Sequence, residues 1–141
     1  MGADQGKGAE WVSLHQKATP KIAWVMPPTD YADSSGTIVR ADDCDLVARV
    51  VSMGAVHQAF TGTGSLAIAV AGGINDTLVA QAVGSVVSGR PMRLGHTAGC
   101  MRVFAEIALS SDGTYRAESA GFTRTARTLM EGHVRVPLKG V

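Results

Sequence analysis

One segment limits the possible folds of this chain more than any other, residues 62–71 with the sequence GTGSLAIAVA. Its composition, and the Gly72-Gly73 pair that closes it, predict an α-helix. From residue 66 onward this helix has no polar face, and a helix that is apolar on all sides has to be covered on all sides. In a chain of 141 residues, such cover indicates a helix wrapped by a β-sheet and argues against a surface helix or a helix bundle.

Shorter patterns predict the elements around this helix. Residues 42–53 carry a second helix signature, because acidic residues open the segment, apolar residues recur three and four apart, and Gly54 follows. Residues 21–26, an apolar run stopped by two prolines, predict a buried strand, and 29–36 a polar loop. The other predicted strands and turns are 37–40, 91–94, 101–109, a hairpin turn at 110–113, 114–120, 122–129, a turn or bulge at 131–132, and 133–137. The predicted class is α+β, with a mostly antiparallel sheet and two helices, one of them central.

Composition excludes several classes of function. A formal net charge of +1 provides no basic surface for nucleic acid or for an acidic membrane. Cys44 and Cys100 form neither a disulfide framework nor a zinc spacing, and the four histidines are scattered. We therefore expect no metal site, no nucleic-acid or membrane partner, and a reducing compartment, the cytoplasm. The sequence has no dinucleotide fingerprint, P-loop or nucleophile elbow.

The first candidate site is the opening of the apolar helix. Its small and hydroxylated residues leave the first N–H groups of the helix uncovered, which attracts carboxylate or phosphate. The structural alternative, which residue types alone favour, is that a threonine caps the helix and the glycines allow tight packing. The candidate residues are Thr61, Gly62, Thr63, Gly64 and Ser65.

The second candidate is a glycine-bracketed loop, GHTAG at 95–99, with Arg93 just before it and Cys100 just after. A histidine and an arginine beside small residues suit anion binding or proton relay. The alternative is a tight turn in which the histidine bonds to backbone. The candidates within the loop are Gly95, His96, Thr97 and Gly99. His57 is a weaker candidate, and Cys44 lies among aspartates that blunt its reactivity.

Five segments, taken together, resemble the second half of the PrpF (methylaconitate cis-trans isomerase-like) family. They are PKIAWVMPP (20–28), SSGT (34–37), DLVARVVSMGAVHQAFTGTG (45–64), RLGHTAG (93–99) and RTARTLMEGHVRVP (124–137). Their order and spacing match the family over about residues 18–137. Residues 1–17 are then expected to be a flexible leader or residues left by cloning, and 18–141 a PrpF-like C-terminal domain.

The resemblance implies half of a diaminopimelate-epimerase-like fold, in which a curved sheet surrounds a central helix. It implies cofactor-independent isomerisation, by proton shift, of unsaturated polycarboxylates such as methylaconitate, aconitate or oxalomesaconate, bound between two domains. By resemblance to epimerases of this fold, Thr61 occupies the position of their catalytic cysteine. A threonine is a poor acid or base, so the role that the resemblance implies for Thr61 is hydrogen bonding to substrate. The family's first half, where its principal proton-transfer residues are thought to lie, has no counterpart here.

The chain is therefore expected to supply substrate-binding loops. The catalytic residue is unassigned, with His96 and Cys100 as candidates. The alternative is a non-catalytic carboxylate-binding or assembly module built from a self-associating half-fold. Under either view the partners expected are a small polycarboxylate and a second copy or a partner domain, because the face turned toward the missing half would otherwise expose apolar area.

Overall fold

The computed structural model describes residues 6–17 and 20–136. A 3-10 turn at Ala41–Asp43 accompanies the regular elements. In chain order these are α1 (Gly8–His15), β1 (Ile22–Met26), β2 (Tyr31–Ala32), β3 (Ile38–Val39), β4 (Leu46–Ser52), β5 (Ala55–Val56), α2 (Gly62–Gly72), α3 (Leu78–Val83), β6 (Met92–His96), β7 (Gly99–Leu109) and β8 (Tyr115–Phe122).

The main sheet has the strand order β1-β4-β6-β7-β8, with β5 paired to the end of β4. Its pairings are antiparallel except that between β4 and β6, which is parallel. A parallel pair needs a long crossover, and α2 and α3 lie in the chain between these two strands. β2 and β3 form a separate two-stranded sheet. The predicted α+β class and the mostly antiparallel sheet are confirmed.

Helix α2 occupies the residues predicted for it and packs on β7 and β8. Its sheet-facing side joins a core that is built from β4, β6 and β7. On its other side Thr63 and Ala67 are exposed. The helix is thus covered on one side and open on the other, so the expectation of cover on all sides is wrong for the described residues. The buried helix residues are Ser65, Ile68, Ala69 and Gly72.

The helix predicted over residues 42–53 is wrong, because this segment forms the 3-10 turn and then strand β4. β4 lies between β1 and β6 and is buried on both faces: Leu46 faces the core, and Val47 on the opposite face is 1% exposed. A strand buried on both faces has no apolar–polar alternation, so its apolar run satisfies helical spacing by accident. The helix that packs beside α2 in the fold is α3, which begins after the cap residue Thr77.

Gly54 is left-handed, as the predicted helix end required, but for a different reason. Met53 and Gly54, with φ of 56° and 82°, form the two-residue turn between β4 and β5. Positive φ at both central residues is typical of a tight hairpin turn with the twist of its strands.

The N-terminal part of the described chain is more exposed than expected. β1 forms where a buried strand was predicted, but it is an edge strand, and Trp24 is 41% exposed. The predicted strand at 37–40 is confirmed as β3, whereas the predicted loop at 29–36 contains β2. α1 lies within the predicted leader and buries none of its residues.

The strands predicted at 91–94, 101–109 and 114–120 are confirmed as β6, β7 and β8. The predicted turn at 110–113 is also confirmed, with the Ser110 N–H donating to the Thr114 carbonyl at 2.9 Å. The strands predicted at 122–129 and 133–137 are wrong: Phe122 ends β8, residues 123–136 have no regular structure, and Pro137 lies outside the described residues. The register shift in this part of the sheet falls at Glu106/Ile107, within the β7–β8 pairing, rather than at 131–132. No helix of the described chain is long and apolar enough to cross a membrane.

Replacing Leu46 by Ala tests the assignment of β4 as a central strand. Leu46 is 0% exposed, so we expect the free energy of unfolding to fall by about 2–5 kcal/mol in a denaturant titration. The same change at Leu129, which is 80% exposed, serves as the control and should cost no more than about 0.5 kcal/mol. Equal effects at the two positions would contradict the assignment.

Candidate functional site

A cleft of about 590 Å³ opens beside the first turn of α2. It lies between that turn, the end of β6, and the chain that leaves β8. The residues that line it are His57, Ala59, Phe60, Thr61, Gly62, His96, Met101, Phe122, Thr123, Arg124 and Thr125. The two sequence-predicted candidate segments, at 61–65 and 95–99, therefore meet at this cleft, through Thr61, Gly62 and His96.

Thr61 caps α2, since its Oγ1 accepts the Gly64 N–H at 3.2 Å. Gly62 provides close packing, because a Cβ there would lie 2.9 Å from Cζ of Phe122. Both observations match the structural alternative. They do not remove the chemical one, because the N–H groups of Gly62 and Thr63 in the first helical turn have no acceptor within the helix. The cap and the donors coexist at one end of the cleft.

His96, the last residue of β6, reaches the cleft from the sheet and is 8% exposed. The Ala98 N–H donates to its Nδ1 at 3.1 Å. His96 pairs with Gly99, so the predicted loop is a hairpin with only two residues outside the strands. Burial, and to a lesser degree the charge of Arg49, lower the pKa of His96 below its ordinary 6.5. The imidazole is therefore neutral at neutral pH.

Two residues of the cleft were weak candidates or absent from the sequence-based set. His57 lines it, with the Ala59 N–H donating to its Nδ1 at 3.1 Å. Arg124 lines it as well and makes no ion pair within the described residues. Its position follows from Thr123, whose N–H donates to the Arg102 carbonyl at 2.9 Å and holds the chain against the sheet. The motif that contains Arg124 is visible in the sequence, but it predicted a strand instead of a site residue.

Arg93 does not line the cleft. Its guanidinium bonds to Oδ1 of Asp45, with Nη2 at 2.8 Å and Nε at 3.2 Å, and its Nη1 donates to the Asp42 carbonyl at 2.6 Å. Its own N–H donates to Oδ2 of Asp45 at 2.6 Å. Burial acts to raise the pKa of Asp45, but hydrogen bonds from Arg93 outweigh it, and the pKa lies below its ordinary range. The arginine predicted to bind substrate thus joins β6 to the start of β4.

The other sequence candidates also lie outside the lining of the cleft. Ser65 is fully buried, and its Oγ donates to the Gly62 carbonyl at 2.7 Å. Gly95 lies against Tyr31, where a Cβ would come 3.0 Å from the phenol oxygen. The Tyr31 hydroxyl donates to the Gly99 carbonyl at 2.6 Å. Thr97 Oγ1 is buried without a hydrogen-bond partner.

Cys100 is unpaired, and its Sγ lies 3.5 Å from the Asp43 carbonyl, which it can donate to. Burial, followed by the neighbouring thiol of Cys44, raises the pKa of Cys100, so it is a thiol rather than a thiolate. Burial likewise raises the pKa of Cys44. Within residues 6–17 and 20–136, no cluster of three or more His, Cys, Asp or Glu side chains could hold a metal ion.

The sequence matches the family model described as PrpF protein over residues 5–137. It is 47% identical over 119 residues to the 2-methyl-aconitate isomerase of Shewanella oneidensis, covering 84% of this chain and 30% of that protein. It is 38% identical over 120 residues to the 3-methylitaconate isomerase of Eubacterium barkeri, with the same two coverages of 84% and 30%. A crystal structure of methylitaconate-delta-isomerase matches with a TM-score of 0.67 and 28% identity, covering 86% of this chain and 34% of that one. The chain spans about a third of the length of these relatives and shares its fold with the corresponding part of the solved one.

Replacing Arg93 by Met tests whether this residue is structural. Because Asp45 would lose its partner while remaining mostly buried, we expect the free energy of unfolding to fall by about 1–2 kcal/mol, with 41% exposure of Arg93 limiting the loss. Arg116, in an exposed pair with Glu118, is the control, and Arg116→Met should cost less than about 0.5 kcal/mol. An Arg93→Met variant of unchanged stability would contradict the structural role.

Proposed function

The chain belongs to the PrpF family, and from that premise we propose that it forms one wall of the active site of an isomerase that acts on unsaturated polycarboxylates by proton shift. The named relatives, which isomerise 2-methyl-aconitate or 3-methylitaconate, supply the reaction class. Methylaconitate, aconitate and oxalomesaconate belong to the substrate class proposed here. Because the chain spans 30% of these relatives, the complete activity needs residues from outside it.

The observation that carries this proposal is the convergence of donors at the cleft. Gly62 in the first turn of α2, His96 at the end of β6 and Arg124 after β8 come from three separate parts of the chain and line the cleft together. No carboxylate side chain is among the described residues that line the cleft. A site with several donors and no internal anion is complementary to a ligand that carries carboxylates.

The same donors suit the chemistry of a proton shift. Removing a proton from a carbon next to the double bond spreads negative charge onto a conjugated carboxylate, which becomes a dienolate. Donors that are already in place lower the energy of that charge without needing to reorganise. The substrate's own conjugation delocalises the charge, so we propose a cofactor-independent reaction. Residues elsewhere in the complete enzyme would move the proton.

A second candidate function follows from an apolar groove of about 510 Å³ between β1, the middle of α2 and the start of α3. Trp24 and Leu78 line it and are 41% and 74% exposed. Exposed apolar area of this kind favours an assembly module, in which a second copy or a partner domain covers the groove and the cleft only binds carboxylate. The two unpaired cysteines suit a reducing cytoplasm under either proposal.

Arg124→Met tests the carboxylate site. We expect affinity for cis-aconitate, measured by calorimetry, to fall by roughly tenfold or more, because a charge-assisted hydrogen bond is lost. Arg127→Met is the matched control, since Arg127 lies three residues along the same irregular segment and outside the cleft. Equal affinities of the two variants would contradict the role proposed for Arg124.

The purified chain tests what the two candidate functions have in common. If it is one wall of an isomerase, we expect it to bind cis-aconitate and to convert little or none of it to another isomer, as measured by NMR. Sedimentation tests the expectation that both candidates share: a dimer at high concentration would support cover of the apolar face by a second copy, and a monomer would contradict it. Robust turnover by the 141-residue chain would contradict both proposals.

A further inference from the structure

We propose that His96 acts in the cleft as a fixed hydrogen-bond donor, with its proton held on Nε2 by the backbone, and that it is not the base of the reaction. The proposal deepens the proposed function, on which it rests for the identity of the ligand. The position of the proton is a property of this chain alone and can be tested without a ligand.

A hydrogen bond from the backbone reaches the ring of His96. A backbone N–H only donates, so the 3.1 Å contact from Ala98 requires a lone pair on Nδ1 of His96. A neutral imidazole with a lone pair on Nδ1 carries its proton on Nε2. The backbone turn therefore selects the tautomer.

The turn that holds this hydrogen bond is short and constrained. His96 and Gly99 are paired residues of β6 and β7, and only Thr97 and Ala98 lie between them. Gly99 has a φ of +116°, a conformation that L side chains rarely adopt. The donor and the ring belong to the same short hairpin, so Ala98 N–H stays in place when the cleft fills or empties.

Nε2 lies on the opposite side of the His96 ring from Nδ1. His96 is more than nine-tenths buried and lines the cleft, and Nε2 has no hydrogen-bond partner within the described residues. In this part of the chain the fully buried side-chain polar atom without a partner is Thr97 Oγ1, so Nε2 of His96 retains access to solvent. Because His96 borders the cleft, the proposal places the free Nε2 on that side of the ring. An N–H in such surroundings calls for an acceptor, and a ligand carboxylate provides one.

Burial, with the charge of Arg49, keeps the ring neutral. Arg49 acts on His96, while Arg124 and His57 line the same cleft, and no acidic side chain lines it within the described residues. Burial and the charge of Arg49 lower the pKa of His96. Protonation of Nδ1 would also break the bond from Ala98. The ring therefore enters the reaction as neutral imidazole.

A neutral ring with its proton on Nε2 has no lone pair to offer on the cleft side. It is therefore unable to take a proton from substrate carbon there, and it donates to an oxygen instead. As negative charge grows on a conjugated carboxylate, this hydrogen bond strengthens without transfer of the proton from Nε2. The residue sequence Gly-His-Thr-Ala-Gly then encodes an oxyanion donor.

NMR of the chain with ¹⁵N-labelled histidine tests the tautomer directly. We expect long-range ¹H–¹⁵N correlations to place the His96 proton on Nε2 and leave Nδ1 bare at neutral pH. Because its pKa is lowered, the ring should become charged only at a pH below that of an ordinary histidine. A proton on Nδ1, or a ring that is charged at neutral pH, would overturn the proposal.

Three substitutions test the donor role. The side-chain amide of Gln reaches the position of Nε2, that of Asn reaches Nδ1, and Leu offers no donor. We expect His96→Gln to keep the affinity for cis-aconitate within about threefold, and His96→Asn and His96→Leu to lose roughly ten- to hundredfold. Thermal melts of all three show whether the fold is retained, and the comparison uses those variants that melt within a few degrees of the parent.

The outcomes separate this inference from the proposed function. A proton on Nδ1 would contradict the donor role and leave the proposed carboxylate site unaffected. The same would follow if the parent chain binds cis-aconitate and His96→Gln and His96→Leu lose affinity equally. A parent chain that does not bind cis-aconitate, with the proton on Nε2, would refute the carboxylate site and the donor role toward it. The backbone lock on the tautomer would survive that result.

Discussion

The close contact between α2 and the strands β7 and β8 is the interaction on which the cleft depends. Two glycines make it possible: Gly62 lies against the ring of Phe122, and Gly73 against Ile107. A Cβ at either position would lie less than 3.0 Å from one of these side chains, so the helix or the side chain would have to shift. The first contact lies at the helix N-terminus, so it also sets how far the free N–H groups stand from β6. Packing and chemistry are therefore coupled through the same two positions.

Much of the fold is legible from local sequence because its signals are local. α2 was predicted by a short apolar run closed by glycines, and β6, β7 and β8 by turn residues between apolar segments. β4 was mistaken for a helix because burial on both faces comes from neighbours distant in sequence. Residues 124–136 have strand-forming composition but form no strand in the described chain. Composition states what a segment can do, and only the tertiary context supplies the partner.

The candidate site, like the fold, could be predicted from local sequence only in part. Thr61 and His96 could be predicted as neighbours of glycine with useful chemistry, and they do line one cleft. Arg93 could not be excluded, because its partner Asp45 lies 48 residues earlier and nothing local reveals the pairing. Arg124 could not be selected from among several exposed arginines, because its place depends on how the chain leaves β8. Whether each of these residues lines the cleft depends on contacts between segments that are distant in sequence.

The parallel pairing of β4 with β6 has a consequence for how the chain reaches this structure. β6, β7 and β8 follow one another through short turns and can form early, since little chain entropy is lost in closing them. β4 is joined to β6 by a long crossover, and its other main partner, β1, precedes it. Non-local pairing of this kind slows folding. The cleft, whose walls come from the crossover itself and from the strands that follow it, is then among the last features to assemble, and a translating ribosome has to release β6 before β4 can gain its parallel partner.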